Sequence, residues 1–232
     1  MTSYEVNIPS SRIIAWMNVL RKYKNDEQYR ILETFWESQI RSKAWIVNAL
    51  KELHTNYQVD LHGDAYVFGG WYGLMSAMLV DNFSVRKVYS IDCDPNCRFI
   101  GEELDNHEST RPRINFLTSN MEDFIFEESS TVENYGPHSV IITSKPAVII
   151  NTSTEHITDN IFDKWLDNMP SNVLIVLQGN NLNIEEHIRC SNSLEEFKMK
   201  NKLDRVLWEG ELDCRTFTRY MVIGYKNDFT NL

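Results

Sequence analysis

A chain of 232 residues is long enough for one full α/β domain with an appendage, and short for two large domains. Its 42% hydrophobic and 24% charged residues are ordinary for a globular protein, and no apolar run approaches the ~20 residues that span a bilayer, so no membrane partner is expected. A net charge of −10 disfavours nucleic acid, whose affinity rests on Lys and Arg neutralising phosphates.

The first residues, Met-Thr-Ser-Tyr-Glu-Val-Asn, have neither a basic nor an apolar targeting pattern, and a cytoplasmic location is expected. The four cysteines, Cys93, Cys97, Cys190 and Cys214, form no C-x-x-C pair and are expected to be free thiols. A zinc site at Cys93 and Cys97 would need two further ligands that the sequence does not place, so no metal is expected.

Residues 1–8 read as an extended lead. Pro9, Ser10 and Ser11 open a helix with serine as its N-cap and Ile13, Ile14, Met17 and Leu20 at helical spacing. Asn25 and Asp26 break it and cap a long helix from about Asp26 to Leu53, bent near Ser42, carried by Ile31, Phe35, Ile40, Trp45, Ile46 and Leu50. Trp36 and Trp45 read as core. Together residues 1–58 form a helical cap, which either covers a ligand pocket or shields one sheet edge. Its Arg21, Lys22, Lys24, Arg41 and Lys43 read as a solvated face, and are the expected source of any local basic groove.

From residue 59 to 232 strands alternate with crossover-length helical patterns, which predicts a doubly wound, mostly parallel α/β sheet. Strand one, about Asp64 to Phe68, runs into Gly69-Gly-Trp-Tyr-Gly73, and an apolar helix (Leu74, Met75, Met78, Leu79) follows directly. Glycine lets the backbone turn tightly and approach a ligand there. Strand two, about Val85 to Ile91, ends in Asp92, roughly 20 positions beyond the turn, where an acid can hold ribose hydroxyls. A helix from Cys97 to Asn106 precedes strand three, Ile114 to Thr118. Residues 127–146 are polar and turn-rich, an insertion or long loop with a short extra strand. Strand four is Ala147–Ile150, and a helix around Asp159 to Asn168 follows it. Strand five, Val173–Leu177, exits into a loop at Gln178 to Asn183. Ser193 caps a helix through about Lys200. Asp204 to Leu212 and Phe217 to Tyr225 form a terminal hairpin.

The glycine turn, Asp92 and the Asp94-Pro95 that follows resemble those of the class I S-adenosylmethionine-dependent methyltransferases, over about residues 60–232. That resemblance implies a Rossmann-like seven-stranded sheet with an antiparallel last strand, S-adenosylmethionine as cofactor, and a turn after strand three, here Asn120 and Met121, that contacts the adenine. Gly69, Gly70, Trp71, Tyr72 and Gly73 would shape the methionine side, with Asp92 and Asp94 beside the ribose. The chain departs from acid-x-Gly-x-Gly-x-Gly at Val67 and Trp71. After strand four, where DNA and protein amino methylases of that family carry Asn/Asp-Pro-Pro-Tyr, stands Asn151-Thr-Ser-Thr-Glu155-His156. Asn151 is a candidate cofactor or substrate contact. Glu155 and His156 are candidate acid/base residues, since histidine exchanges protons near neutrality; otherwise Glu155 merely opens a helix. Gln178, Asn180 and Asn181 suit a polar small or medium-sized substrate, or make a simple turn. Glu186-His187 is a weaker candidate.

No Gly-x-Ser-x-Gly or Walker loop points to hydrolase or NTPase chemistry, and Gly-x-Gly-x-x-Gly of a dehydrogenase is missing. The expected activity is methyl transfer. Aminopropyl or aminocarboxypropyl transfer with the same cofactor, and a non-catalytic binding or scaffold protein on a decayed methyltransferase fold, stay open.

Overall fold

A computed structural model describes residues 4–106, 113–126, 129–135 and 138–226. Three helices come first: α1 (Ser10–Lys22), α2 (Asn25–Glu33) and α3 (Glu37–Tyr57). Pro9, not a serine side chain, precedes α1, and no side chain caps it. The long helix expected from Asp26 to Leu53 is instead two, broken at Thr34–Trp36 rather than bent near Ser42. Trp36 is extended (φ −61°, ψ 149°), and Phe35 turns inward onto Trp16, ring centroids 4.9 Å apart. Packing, not glycine or proline, sets this break. Trp45 is buried as expected, whereas Trp36 is exposed.

The sheet then builds in alternation with helices. β1 (Asp64–Phe68), α4 (Leu74–Asn82), β2 (Lys87–Asp92), α5 (Pro95–Asp105) and β3 (Ile114–Thr118) make one half. A separate antiparallel hairpin, β4 (Ser129–Tyr135) and β5 (His138–Ser144), occupies the polar segment where one short strand was expected. The other half is β6 (Pro146–Asn151), α6 (Asp159–Asp167), β7 (Leu174–Asn180), α7 (Leu194–Lys200), β8 (Arg205–Asp213) and β9 (Thr218–Tyr225). The seven main strands lie in the order β3-β2-β1-β6-β7-β9-β8, parallel except that β9 runs antiparallel to both neighbours. This is the Rossmann-like sheet with a reversed last strand, and helices lie ahead of it.

β1 shows why both faces must be covered: all five of its residues are buried. Ala65 and Val67 join the core under α1, α3, α4 and α5, while Tyr66 and Phe68 join the core with Phe162 and Trp165 of α6 and Phe197 of α7. The period of two in a strand sends alternate side chains to the two layers. Helix starts follow local chemistry. Asp94 accepts from the Asn96 amide with Pro95 at the first position of α5, and Thr158 accepts from the Ile161 amide to open α6. Arg12 of α1 is buried and bonds Asp81 and Asp105, which fixes the first helix to α4 and α5. Among the described residues no helix is long and apolar enough to cross a membrane.

Strand order reverses between β2 and β6, both of which pair with β1. At such a switch point the loops leaving neighbouring strands part, and ligands bind beyond the strands' carboxyl ends.

Candidate cofactor and substrate site

Gly69 and Gly73 have positive φ, +62° and +85°, and a Cβ on Gly69 would stand 2.2 Å from Ser153 Oγ. Trp71 also has positive φ, +47°, a conformation that a bulky residue rarely adopts. Asp92 holds it: its Oδ2 accepts from the Trp71 amide at 2.9 Å, and its Oδ1 accepts from the Asp94 amide at 3.1 Å. The acid at the end of β2 thus braces the glycine turn across the switch point. Each carboxylate oxygen keeps a lone-pair direction free for a hydroxyl.

A cleft of about 550 Å³ opens here, lined by Gly69, Trp71, Asp92, Asp94, Asn120 and Met121 among others, with apolar walls from Phe68, Ile91, Ile157 and Ile161. Arg30 of α2 reaches across to Asp94 at 2.9 Å. The Asn96 amide, and after it Arg30, hold the Asp94 carboxyl below its ordinary range. The apolar walls suit the faces of a nucleobase, Asn120 can meet its polar edge, and Asp92 can accept from a diol. Four expected contributors, Gly70, Tyr72, Gly73 and Asn151, stand back from the cleft, and Gly70 lines the small cavity beneath the turn instead. Tyr72 is buried, and Gly73 backs onto the Phe116 ring. Asn151 is wholly buried; its Oδ1 accepts from the Ser153 amide, so it shapes the loop after β6.

Glu155 and His156 lie in a short 3₁₀ turn, Thr154–His156, rather than at a helix start. Glu155 is buried, its Oε1 taking the Asn180 side-chain amide and lying 3.6 Å from Arg219 Nη1. His156 is exposed. Its Nδ1 is 3.1 Å from the Glu186 carbonyl, and a carbonyl only accepts, so Nδ1 carries the proton and Nε2 is the basic atom of the neutral ring. His187 is fixed likewise on the Leu182 carbonyl, 2.7 Å away, and its ring meets His156 edge-on at 4.6 Å.

His156 lines three hollows at once: the cleft, a pocket of about 480 Å³ under α3 with Trp36, Gln39 and Arg219, and a cavity of about 90 Å³ beneath the glycine turn. A groove of about 650 Å³ between α1 and α5 lies apart from this cluster.

The polar residues after Leu177 are not an exit loop. Gln178, Gly179 and Asn180 continue β7, paired with Met221, Tyr220 and Arg219 of β9. Gln178 is buried and donates to the Ser42 carbonyl of α3, Asn180 serves Glu155, and Asn181 ties to Thr218 on both sides. Of the three, Asn180 alone lines the 480 Å³ pocket.

Two residues escaped the sequence reading. Lys43, taken for a solvated helix charge, lines the small cavity and donates to Gln39 Oε1; burial, and then Arg219, push its ammonium down from 10.5 to about 7. Arg219 is 5% exposed near the start of β9. A signal existed for Lys43: it falls three, four and seven residues before Ile46, Val47 and Leu50, on the stripe that packs inward. As for metal, among the described residues Glu155, His156 and His187 bring ligand atoms within 4.8 Å of one another, and Glu155 meets Asn180 and Arg219 through Oε1. Cys93 and Cys97 join no such group, and burial raises both thiols.

No protein-family model matches the chain, and no curated protein matches it. Solved structures do. The chain is 12% identical to the PH0226 protein from Pyrococcus horikoshii OT3, over 86% of this chain and 98% of that one, with a TM-score of 0.56. It is 11% identical to MtNAS, crystallised with MTA and tNA, over 94% and 70%, TM-score 0.53. Against M. capricolum TrmK bound to its cofactor product S-adenosyl-homocysteine the values are 10%, 79% and 71%, TM-score 0.51. At such identities the likeness is one of fold. The chain has the class I S-adenosylmethionine-dependent methyltransferase fold, in a divergent form.

Proposed function

We propose that this protein is an S-adenosylmethionine-dependent transferase acting on a polar small or medium-sized acceptor. The observation that carries this is the position of His156, on the wall of the cofactor-sized cleft and of the pocket under α3 alike. An acceptor in that pocket would meet the cofactor's reactive carbon beside a basic imidazole nitrogen.

In this proposal Asp92 takes the ribose hydroxyls, Asn120 and Met121 border the base, and Gly69, Gly70 and Trp71 bound the sulfonium side. The cofactor supplies an already activated alkyl group, so no protein nucleophile is needed. The chain's work is alignment, exclusion of water and proton removal. His156 Nε2 takes the proton from the acceptor's N–H or O–H as the new bond forms. Glu155 orients the acceptor through Oε2, the oxygen left free by Asn180. Residues 1–58 act as the cap that closes the site, with the Arg30–Asp94 pair as one tie. The same arrangement suits transfer of a methyl, aminopropyl or aminocarboxypropyl group, and product mass tells them apart.

The test is calorimetric titration with S-adenosylhomocysteine. Wild type should bind in the micromolar range. Asp92→Ala, which loses ribose contacts and the brace on Trp71, should bind at least about tenfold more weakly. His156→Ala should bind like wild type. Folded wild-type protein that binds neither S-adenosylmethionine nor its product would overturn the proposal.

A further inference from the structure

Ten buried side-chain nitrogen and oxygen atoms lack a partner among the described residues, and four belong to residues lining the 90 Å³ cavity: Thr34 Oγ1, Glu155 Oε2, Arg219 Nε and Arg219 Nη1. Buried polar groups are normally satisfied, and these four atoms belong to three of the residues that wall one small space, which favours a polar occupant there. Charge points the same way. Lys43 and Arg219 bring two cations against the single carboxylate of Glu155. Arg219 Nη1 stands 3.6 Å from that carboxylate, within ion-pair range but too far for a hydrogen bond. The other groups acting on the Lys43 ammonium are Gln39, which accepts from it, and the Cys214 thiol. An excess positive charge in a buried site is costly, which is why the Lys43 ammonium is held down to about 7, and an anion beside it favours the charged form again.

One anion is therefore wanted on the Lys43 and Arg219 side, and one donor at Glu155 Oε2. Waters in this space would bring donors and acceptors but no charge. An α-amino-carboxylate group brings both signs in the same space. We infer that the cavity bounded by Lys43, Glu155 and Arg219 is a subsite for the α-amino-carboxylate head of a ligand. The carboxylate meets Lys43 and Arg219, and the ammonium meets Glu155 Oε2.

Two ligands carry that head group here. One is the amino-acid tail of the cofactor, since Gly69, Trp71, Ser153 and His156 line both the cavity and the cleft. The other is an amino-acid acceptor, since Gln39, Glu155, His156 and Arg219 line both the cavity and the pocket under α3. The inference rests on the proposed cofactor for the first source only.

The experiment compares S-adenosylhomocysteine with methylthioadenosine, the same thioether without the amino-acid head, and the twenty amino acids with their neutral amides. Wild type, Arg219→Gln and Lys43→Met are titrated with each. If the cofactor fills the subsite, S-adenosylhomocysteine binds at least about tenfold tighter than methylthioadenosine, and both variants erase that difference. If an acceptor fills it, the two nucleosides bind alike, and an amino acid binds in their presence while its amide does not. Binding of an amino acid but of neither nucleoside keeps the subsite and removes the cofactor reading. The wild-type comparisons need no variant to fold. Equal binding of both nucleosides, with no amino acid preferred over its amide, overturns the inference.

Discussion

Replacing Lys43 by methionine changes how stability depends on pH. In the folded protein the ammonium is held to about 7, first by burial and then by Arg219, whereas the unfolded chain keeps its proton up to the ordinary 10.5. Between those values the unfolded state binds more protons than the folded state, so stability rises with pH across that window and is flat below it. Within it each pH unit changes stability by about 1.36 kcal/mol per proton, so pH 7.5 to pH 9 is worth about 2 kcal/mol. Lys43 retains part of its exposure to the cavity, and screening there reduces the expected gain to between about 1 and 2 kcal/mol. Methionine keeps the length and has no proton to lose. Urea unfolding of both proteins at the two pH values gives the comparison: the advantage of Lys43→Met should shrink by that amount as pH rises. An advantage that stays the same would mean that Lys43 holds its proton throughout, and the charge argument would fall.

Gly69→Ala forces a side chain into positive φ against Ser153, and should lower stability by about 1–3 kcal/mol in a urea melt, partly restored by Ser153→Gly. Arg12→Met removes the buried guanidinium that bonds both Asp81 and Asp105, and should destabilise by about 3 kcal/mol in the same assay. At pH 8, binding of a carboxylate beside Lys43 should draw in up to about one proton. Calorimetry in two buffers of different ionisation enthalpy reads that uptake, and Lys43→Met should abolish it.

The turn and the acid were legible because they are local. Gly69 to Gly73 combines turn residues with an apolar run on each side, and Asp92 ends the next run. The mostly parallel, doubly wound sheet followed from alternation of strand and helix patterns, and its reversed last strand from the family resemblance. What was misread shares one cause. Gln178 and Asn180 look like loop residues in sequence, but they continue β7, where the partners that satisfy them come from α3 and from Glu155. Lys43 and Arg219 look like surface charges for the same reason. A buried polar side chain is defined by what faces it, and here those groups lie far away along the chain. The break between α2 and α3 depends on Phe35 meeting Trp16, again a tertiary fact.

The reversal of β9 explains how a cation reaches this site at all. In a wholly parallel sheet every strand would present its C-terminal end to the ligand rim, and the beginning of the last strand would lie at the opposite edge. Because β9 runs antiparallel to β7, its first residues stand beside the last residues of β7, and Arg219 pairs in register with Asn180. Asn180 in turn grips Glu155 from the turn after β6. α3 closes the group from above, with Gln178 held to the Ser42 carbonyl beside Lys43. Each charged member comes from a different layer: the helices ahead of the sheet, the loop at the switch point, and the reversed strand. None of the three elements could form the cavity without the other two: Thr34, Gln39 and Lys43 of the leading helices supply one of its walls, and in the proposed function this makes them ligand-site residues.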